Sequence, residues 1–423
     1  MSDLVLGIDV GTSGIRIAAI DQAAKVVSFA AAAMPAACRD GQRITQDASI
    51  WDRGLDDAMA RLAATMDLSR VGAVAVDGTS GTLVGIDDRG TPVTTGSLYN
   101  DCADAADIAS VQRVAPMQAA VHGATSPLAR AMRLLRVSGV ARVLHQADWI
   151  AGQFSGRFDI SDESNALKTG YDPIRRTWPA WIGAANVAFR KLPAVVAAGS
   201  IICEVSAGAS RRFGLPARTV VVAGMTDGCA AFMATGAAKP GDAVTSLGST
   251  LVLKLASEKP LSAPEYGIYS HRIGDLWLAG GASNSGGAAL AQFFTVEQIR
   301  DICLRIDPGV STGLDYYPLP ARGERFPIND PGIEPRMTPR PDDDAVFLQA
   351  LFEGIASIEA LGYRRLSELG GPQLTRVVTV GGGAANEVWR RIRARKIGVP
   401  IAMSESEEAA VGVARLALRA LQE

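Results

Sequence analysis

Two stretches of this 423-residue chain are built alike. "GIDVGTSGIRIAAID" at 7–21 and "AVTSLGSTLVLKLAS" at 243–257 each join two apolar runs through a turn of glycine and hydroxyl residues. Apolar, β-branched runs divided by such turns read as hairpins. Gly11-Thr12-Ser13 then lies over Gly248-Ser249-Thr250, and Asp9 lies opposite Ser246. The later half closes as the earlier one does, with an apolar strand, a small-residue turn and a helix. Superimposing "VVVAGMTDG" (220–228) on "VVTVGGGAA" (377–385) sets Asp227 opposite Ala384. The chain is also longer than one core usually serves. Two lobes of related α/β architecture are therefore expected, with carboxylates kept in only one. A cleft between them is the expected place for a small-molecule site. The boundary is expected near 236–241, where Gly, Lys and Pro cluster.

Net charge is only −2, and no Lys or Arg block marks a nucleic-acid stripe or a lipid surface. Phosphate binding must then come from local geometry. The cysteines (Cys38, Cys102, Cys203, Cys229 and Cys303) form no CxxC pair, so reduced thiols are expected. His122, His145 and His271 are too dispersed for a zinc site. The start, "MSDLVLGIDVG", runs into a strand without a basic and apolar leader, so a cytoplasmic location is expected.

Residues 50–66 have helical spacing through Trp51, Leu55, Met59, Leu62 and Met66. A strand is expected in "VGAVAVDGTSGTLVGID", helices over 106–155, and irregular surface loops over 156–200.

Turns such as 11–14 and 248–250 present backbone N–H groups and hydroxyls, which can hold phosphate oxygens without a positive field. A carboxylate beside phosphates needs a cation between them, so Asp9 is a candidate for positioning Mg²⁺, directly or through water. Asp at such a place also serves simply to cap its own turn. Gly381, Gly382 and Gly383 would let the backbone approach a flat base. No Lys-Ser/Thr follows them, so this is not a Walker loop. Asp227 sits in "AGMTDGCAAF", a turn of small residues after an apolar strand, where a helix cap is the simplest role for it.

"GIDVGTSGIR", "SLYNDCADA", "MTDGCAA", "TSLGST", "NSGG" and "VGGGAANEVWRRIRARKIGVPI" together, in this order, resemble the FGGY carbohydrate kinases. The resemblance spans nearly the whole chain. It implies two ribonuclease-H-like domains of the actin-like ATPase kind, one over 1–237 binding sugar and carrying the catalytic Asp, the other over 238–423 binding nucleotide. It implies ATP and Mg²⁺, with phosphoryl transfer to a sugar or polyol hydroxyl. Asp227 becomes the general base, and Asp9 lies near the metal and phosphates. Gly11, Thr12 and Ser13 form one phosphate turn, and Gly248, Ser249 and Thr250 the other. Gly381–Gly383 with Asn386 border adenosine, and Asn284 approaches the nucleotide.

Where xylulose kinases carry Gln-Met-His, this chain has Thr79-Ser80-Gly81, and Cys102-Ala103 stands where many relatives place an arginine after the Asp. "DGTSGT", "LYND" and "SDESNALKTGYDP" are more similar to the small D-ribulose kinases, which puts Thr79, Ser80 and Asp101 near the sugar. D-xylulose or a polyol stays open as substrate. So do two other classes on the same scaffold, a nucleotide-gated sensor or ATPase and an inactive sugar-binding regulator. Small-molecule sugar and ATP are the expected partners, with no nucleic acid and no membrane.

Overall fold

A computed structural model describes residues 3–422. Its Cα atoms group into two compact units, one of Met1–Ala234, His271–Gly274 and Glu408–Glu423, the other of Thr235–Ser270 and Asp275–Glu407.

In the first unit, β1 (Leu4–Val10), β2 (Gly14–Asp21) and β3 (Val26–Ala33) form an antiparallel meander. Helix α1 (Ala48–Ala63) begins at Asp47, whose carboxylate accepts the Ser49 N–H at 2.8 Å. It buries Trp51, Leu55, Met59 and Leu62, the spacing read from the sequence. Strand β4 (Val71–Gly78) runs parallel to β1. Helices α2 (Pro127–Leu135) and α3 (Gln146–Ser155) follow, then β5 (Ile201–Glu204), β6 (Val220–Thr226) and α4 (Asp227–Ala234). The sheet order is β5-β6-β4-β1-β2-β3, with β6 parallel to β4. Strands β1 and β4 are buried at every residue, as parallel strands covered on both faces must be.

The second six-stranded sheet begins with β7 (Asp242–Leu247), β8 (Leu251–Ser257), β9 (Tyr269–Ile273) and β10 (Leu276–Ser283). Next come α5 (Val296–Cys303), α6 (Asp344–Glu368), β11 (Arg376–Val380), α7 (Glu387–Ile397) and β12 (Ile401–Met403). The strands are ordered β9-β10-β8-β7-β11-β12. Helix α6 is long and apolar enough to cross a membrane, yet it is the core helix here, burying Phe347, Leu348, Leu351, Phe352 and Ile355. Its Glu359 takes both arms of Arg393 from α7, at 2.6 and 2.8 Å, and the Thr245 hydroxyl of β7 at 2.6 Å.

The two sheets share one plan, a meander followed by two parallel strands on its first member, which is the ribonuclease-H-like arrangement. That plan corrects one superposition. Strand β11 lies beside β7 as β4 lies beside β1: Asp9 pairs with Asp77, and Ser246 with Val380. The counterpart of the 381–383 glycines is thus the turn after β4, beginning at Gly78, and not the turn that carries Asp227. Three apolar strands here end in small-residue turns, and only strand pairing tells them apart.

Two further expectations change. Residues 161–171 are buried almost throughout and are not a surface loop. The chain leaves the first unit at Ala234, and α8 (Ala409–Gln422) packs back on it, whereas the expected second domain ran from 238 to the end. Helix α8 comes very close to its neighbours. A Cβ at Gly7 of β1 would lie 1.9 Å from the Ala410 carbonyl oxygen, and one at Gly412 only 1.8 Å from that of Ala230 in α4. Backbone-to-backbone contact of this kind leaves no side chain that could turn aside. Gly412→Val is expected to destabilise the protein by about 3 kcal/mol or more, read as a fall in the urea midpoint; an unchanged midpoint would mean that α8 is free to move outward.

Candidate active site

The ends of β1, β4 and β6 bring three acids together. Asp9 and Asp77 are register partners on adjacent parallel strands, and Thr226, the last residue of β6, pairs with Gly78. Asp227 follows at once as the first residue of α4. Asp9 is 7% exposed, and its Oδ2 accepts from Arg16 Nη1 at 3.0 Å. Asp77 has no exposure, and neither of its oxygens receives a hydrogen bond. Burial first, and then the negative charges of Asp9 and Asp227, push its carboxyl well above the usual carboxylate range. Asp77 therefore holds its proton to higher pH than an ordinary carboxyl does. Asp77 was missed as a candidate in the sequence, although "AVAVDG" ends an apolar run on an acid just as "VLGIDVG" does.

Asp227 is partly exposed, and its Oδ1 accepts the Gly228 N–H at 2.6 Å. The small residues before it are needed for approach: a Cβ at Gly224 would sit 1.7 Å from the Val76 carbonyl oxygen. The buried segment 162–166 backs this turn. Ser164 Oγ lies 3.2 Å from Thr226 Oγ1 and accepts the Thr226 N–H at 3.3 Å. Asp162 holds the segment by accepting from the Ser164 and Asn165 N–H groups, both at 2.8 Å. Burial and the neighbouring Asp148 charge raise the Asp162 carboxyl to about 7. Asn165 is 1% exposed, yet its Oδ1 has no partner.

The turn after β4 carries Thr79 and Ser80. Thr79 Oγ1 is 2.5 Å from Thr82 Oγ1 and 3.0 Å from the Gln146 amide, while Ser80 Oγ is buried with no partner. The Asn100 Oδ1 is likewise unpartnered. Unsatisfied buried polar atoms are few in native proteins and call for an explanation; Ser80 Oγ, Asn100 Oδ1 and Asn165 Oδ1 are three of the neutral ones among the described residues.

Asp101 differs from its expectation. It has no exposure and is held by the Ile44 N–H at 3.1 Å, the Ser97 hydroxyl at 2.6 Å and the Arg133 guanidinium. Its carboxylate ties loops together and is not open to a ligand. Arg130, fully buried on α2, does similar work. It donates to the carbonyls of Gly81, Ser97, Leu98 and Thr125, joining the 79–82 and 97–101 loops. Burial lowers its guanidinium to about 10.

The hairpin turns keep their hydroxyls uncommitted. The hydroxyls of Thr12, Ser13, Ser249 and Thr250 take no protein partner among the described residues. The turns differ in length: Gly11 N–H closes onto the Gly14 carbonyl, Gly248 N–H onto that of Thr250. The "NSGG" segment packs on the second turn, where Gly287 and Ala288 donate to the carbonyls of Gly248 and Ser249 at 2.8 and 3.0 Å. Asn284 itself faces elsewhere, its amide donating to the Gly323 carbonyl at 2.9 Å.

A cavity of about 740 Å³ opens in the second unit, lined by Gly248, Ser249, Gly287, Gly382, Gly383 and Asn386 together with apolar side chains of α5 and α7. A Cβ at Gly382 would meet nothing within 4 Å, so the wall there is open backbone. Gly381 does not line the cavity; its N–H donates to Glu407 at 3.0 Å. Asn386 caps α7 through the Trp389 N–H at 2.9 Å.

Among the described residues, no group of three or more His, Cys, Asp and Glu is arranged to hold a metal ion. Mg²⁺ keeps several waters and takes one or two carboxylates with substrate phosphates, so Asp9 alone could serve such an ion.

The retained proton of Asp77 sets a pH dependence. Below about pH 4 both folded and unfolded chains carry it; as pH rises, only the unfolded chain gives it up, so stability is lost up to the folded pKa. Asp77→Asn does not titrate. Its stability relative to the parent is expected to rise from pH 4 to 8 in urea unfolding, and a constant difference would show that Asp77 ionises normally.

Residues 243–421 match the C-terminal domain of the FGGY family of carbohydrate kinases. The chain is 25% identical over 443 aligned residues to the xylulose kinase of Escherichia coli K12, covering 98% of this chain and 89% of that protein. It is 27% identical to an autoinducer-2 kinase of Yersinia enterocolitica over 62% of this chain and 54% of that one. Among solved structures, a xyloylose kinase from Brucella ovis has the same fold, with a TM-score of 0.89 and 24% identity over 99% of this chain and 90% of that one. Acid-ended parallel strands in one unit and a glycine-walled cavity in the other accompany the match of residues 243–421 and the kinase relatives, and the chain is a carbohydrate kinase, a sugar phosphotransferase.

Proposed function

We propose that the protein phosphorylates the terminal hydroxyl of a ketopentose with ATP and Mg²⁺, D-ribulose first among them, giving D-ribulose 5-phosphate. The observation that carries the kinase chemistry is Asp227, a partly exposed carboxylate at a strand end where small residues leave room for a substrate. Asp227 accepts the proton of the attacking hydroxyl, and Ser80, in the turn after β4, orients the sugar. Thr79, braced by Thr82 and Gln146, shapes the same turn. The Thr12, Ser13, Ser249 and Thr250 hydroxyls, with the N–H groups of their turns, receive phosphate oxygens. The glycine-walled cavity takes the base. When bound, Mg²⁺ neutralises phosphate charge, and Asp9 is the residue that would position it. Phosphoryl transfer needs alignment and charge neutralisation more than covalent help, and these residues supply both.

Ribulose is favoured over xylulose by Thr79-Ser80-Gly81, a turn of small residues and hydroxyls where xylulose kinases carry Gln-Met-His. The names of the relatives favour xylulose, which is the second reading.

ADP release across a panel of ketoses and polyols is expected to give the highest kcat/KM with D-ribulose; a higher value with D-xylulose would replace the substrate, and no response to any sugar would remove the kinetic assignment. Asp227→Ala is expected to lower kcat by about 10²–10⁴ with little change in ATP binding, and near-normal turnover would exclude it as the base. Asp9→Asn is expected to raise the Mg²⁺ concentration needed for half-maximal rate, which a metal titration reads directly.

A further inference from the structure

The cavity of the second unit has an uneven distribution of polar groups. Its walls are Leu290, Phe294, Val296, Ile299, Leu304 and Val388, and two of these are left open to solvent: Val296 is 78% exposed and Leu304 87%. Apolar side chains set around a slot of open backbone suit a flat ring. The polar side chains that line it are Ser249, Arg300, Asn386 and Glu387. Asn386 is used at both ends, its Oδ1 by the Trp389 N–H at 2.9 Å and its Nδ2 by Cys303 Sγ at 3.3 Å. Glu387 is paired with Arg390. Ser249 belongs to the phosphate turn. Arg300, 3.7 Å from Asp301 and largely exposed, presents a planar cation that stacks on any base.

The backbone of the glycine turn is also largely committed. The N–H groups of Gly381, Gly383, Ala384 and Asn386 donate to Glu407, Leu247, Gly381 and Gly383 respectively. The Trp389 indole N–H lacks a partner, but its atom is sealed from solvent, and the ring is stacked on Phe352 at 4.6 Å. Sites that reject a wrong ligand strongly do so by leaving buried polar groups unpaired when it binds, which separates ligands by about 10⁴–10⁵; apolar walls manage only about 10².

We propose that this cavity grips the base without reading it, so that the phosphoryl donor is a purine nucleoside triphosphate as a class and not ATP alone. The inference rests on the assignment of the cavity to the nucleotide made above. The exocyclic amino group of adenine and the carbonyl of guanine at the same ring position meet no dedicated partner, and both rings cover the same apolar surface.

The test is calorimetric titration of the full chain with MgADP, MgGDP and MgIDP, which needs no knowledge of the sugar. Dissociation constants within about 10² of one another support the proposal, and a wider preference for ADP overturns it. Leu290→Trp, which fills the slot, is expected to weaken ADP and GDP by similar factors; weakening of one alone overturns the proposal. Arg300→Ala is expected to leave the ADP-to-GDP ratio unchanged, and a shift in that ratio above tenfold would make Arg300 a base reader and overturn it as well. If no diphosphate binds, or Leu290→Trp changes neither, the cavity is not the nucleotide site; the ketose panel is unaffected by that outcome, so the two failures are distinguishable.

Discussion

Three carboxyl groups meet at the strand ends of one buried sheet, and burial bears hardest on Asp77. Two like charges at contact distance repel by about 4 kcal/mol at the effective dielectric of a protein surface, and more where water is excluded. Asp77 is fully buried, and burial with the charges of Asp9 and Asp227 pushes its carboxyl well above the usual range. Asp9 pairs with Arg16, and Asp227 faces the opening of its turn.

The sequence carried much of this. Both hairpins, the first helix and its buried face, the small turn around Asp227 and the open backbone at Gly382 follow from patterning and from the conformational freedom of glycine. What failed to show depends on which strands are neighbours. The 377–385 stretch reads like 220–228, and only pairing with β7 reveals that it corresponds to the strand ending in Asp77. Asp77 itself had a signal, an acid closing an apolar run, but its significance depends on Asp9 lying beside it. Asp101 is the reverse case. A carboxylate in a quoted motif is engaged by Ile44, Ser97 and Arg133, partners distant in sequence. Arg130 gives no local sign of the four carbonyls it satisfies, because those carbonyls belong to loops that only the fold brings together.

The two units use one plan for different chemistry. Where the first has Asp9 and Asp77 in register, the second has Ser246 and Val380. Its buried charges lie deeper, in the Glu359–Arg393 pair that fastens α6 to α7, both partners at 1% exposure or less. Such a pair holds elements in place and leaves the turns neutral, suited to receiving anionic phosphates and an uncharged base. In the first unit the acids are at the strand ends, where Asp9 and Asp77 are buried and Asp227 is partly exposed.

The return of α8 to the first unit bears on how the polypeptide is made. Glycine-lined contacts at Gly7 and Gly412 seat this final helix on the opening strand and on α4. Domains made early in synthesis generally fold early; this one needs a helix that follows the inserted second unit in the chain. During translation the groove over β1 stays uncovered until residues 409–422 have been made, so the unit begun first is not completed before the unit inserted into it.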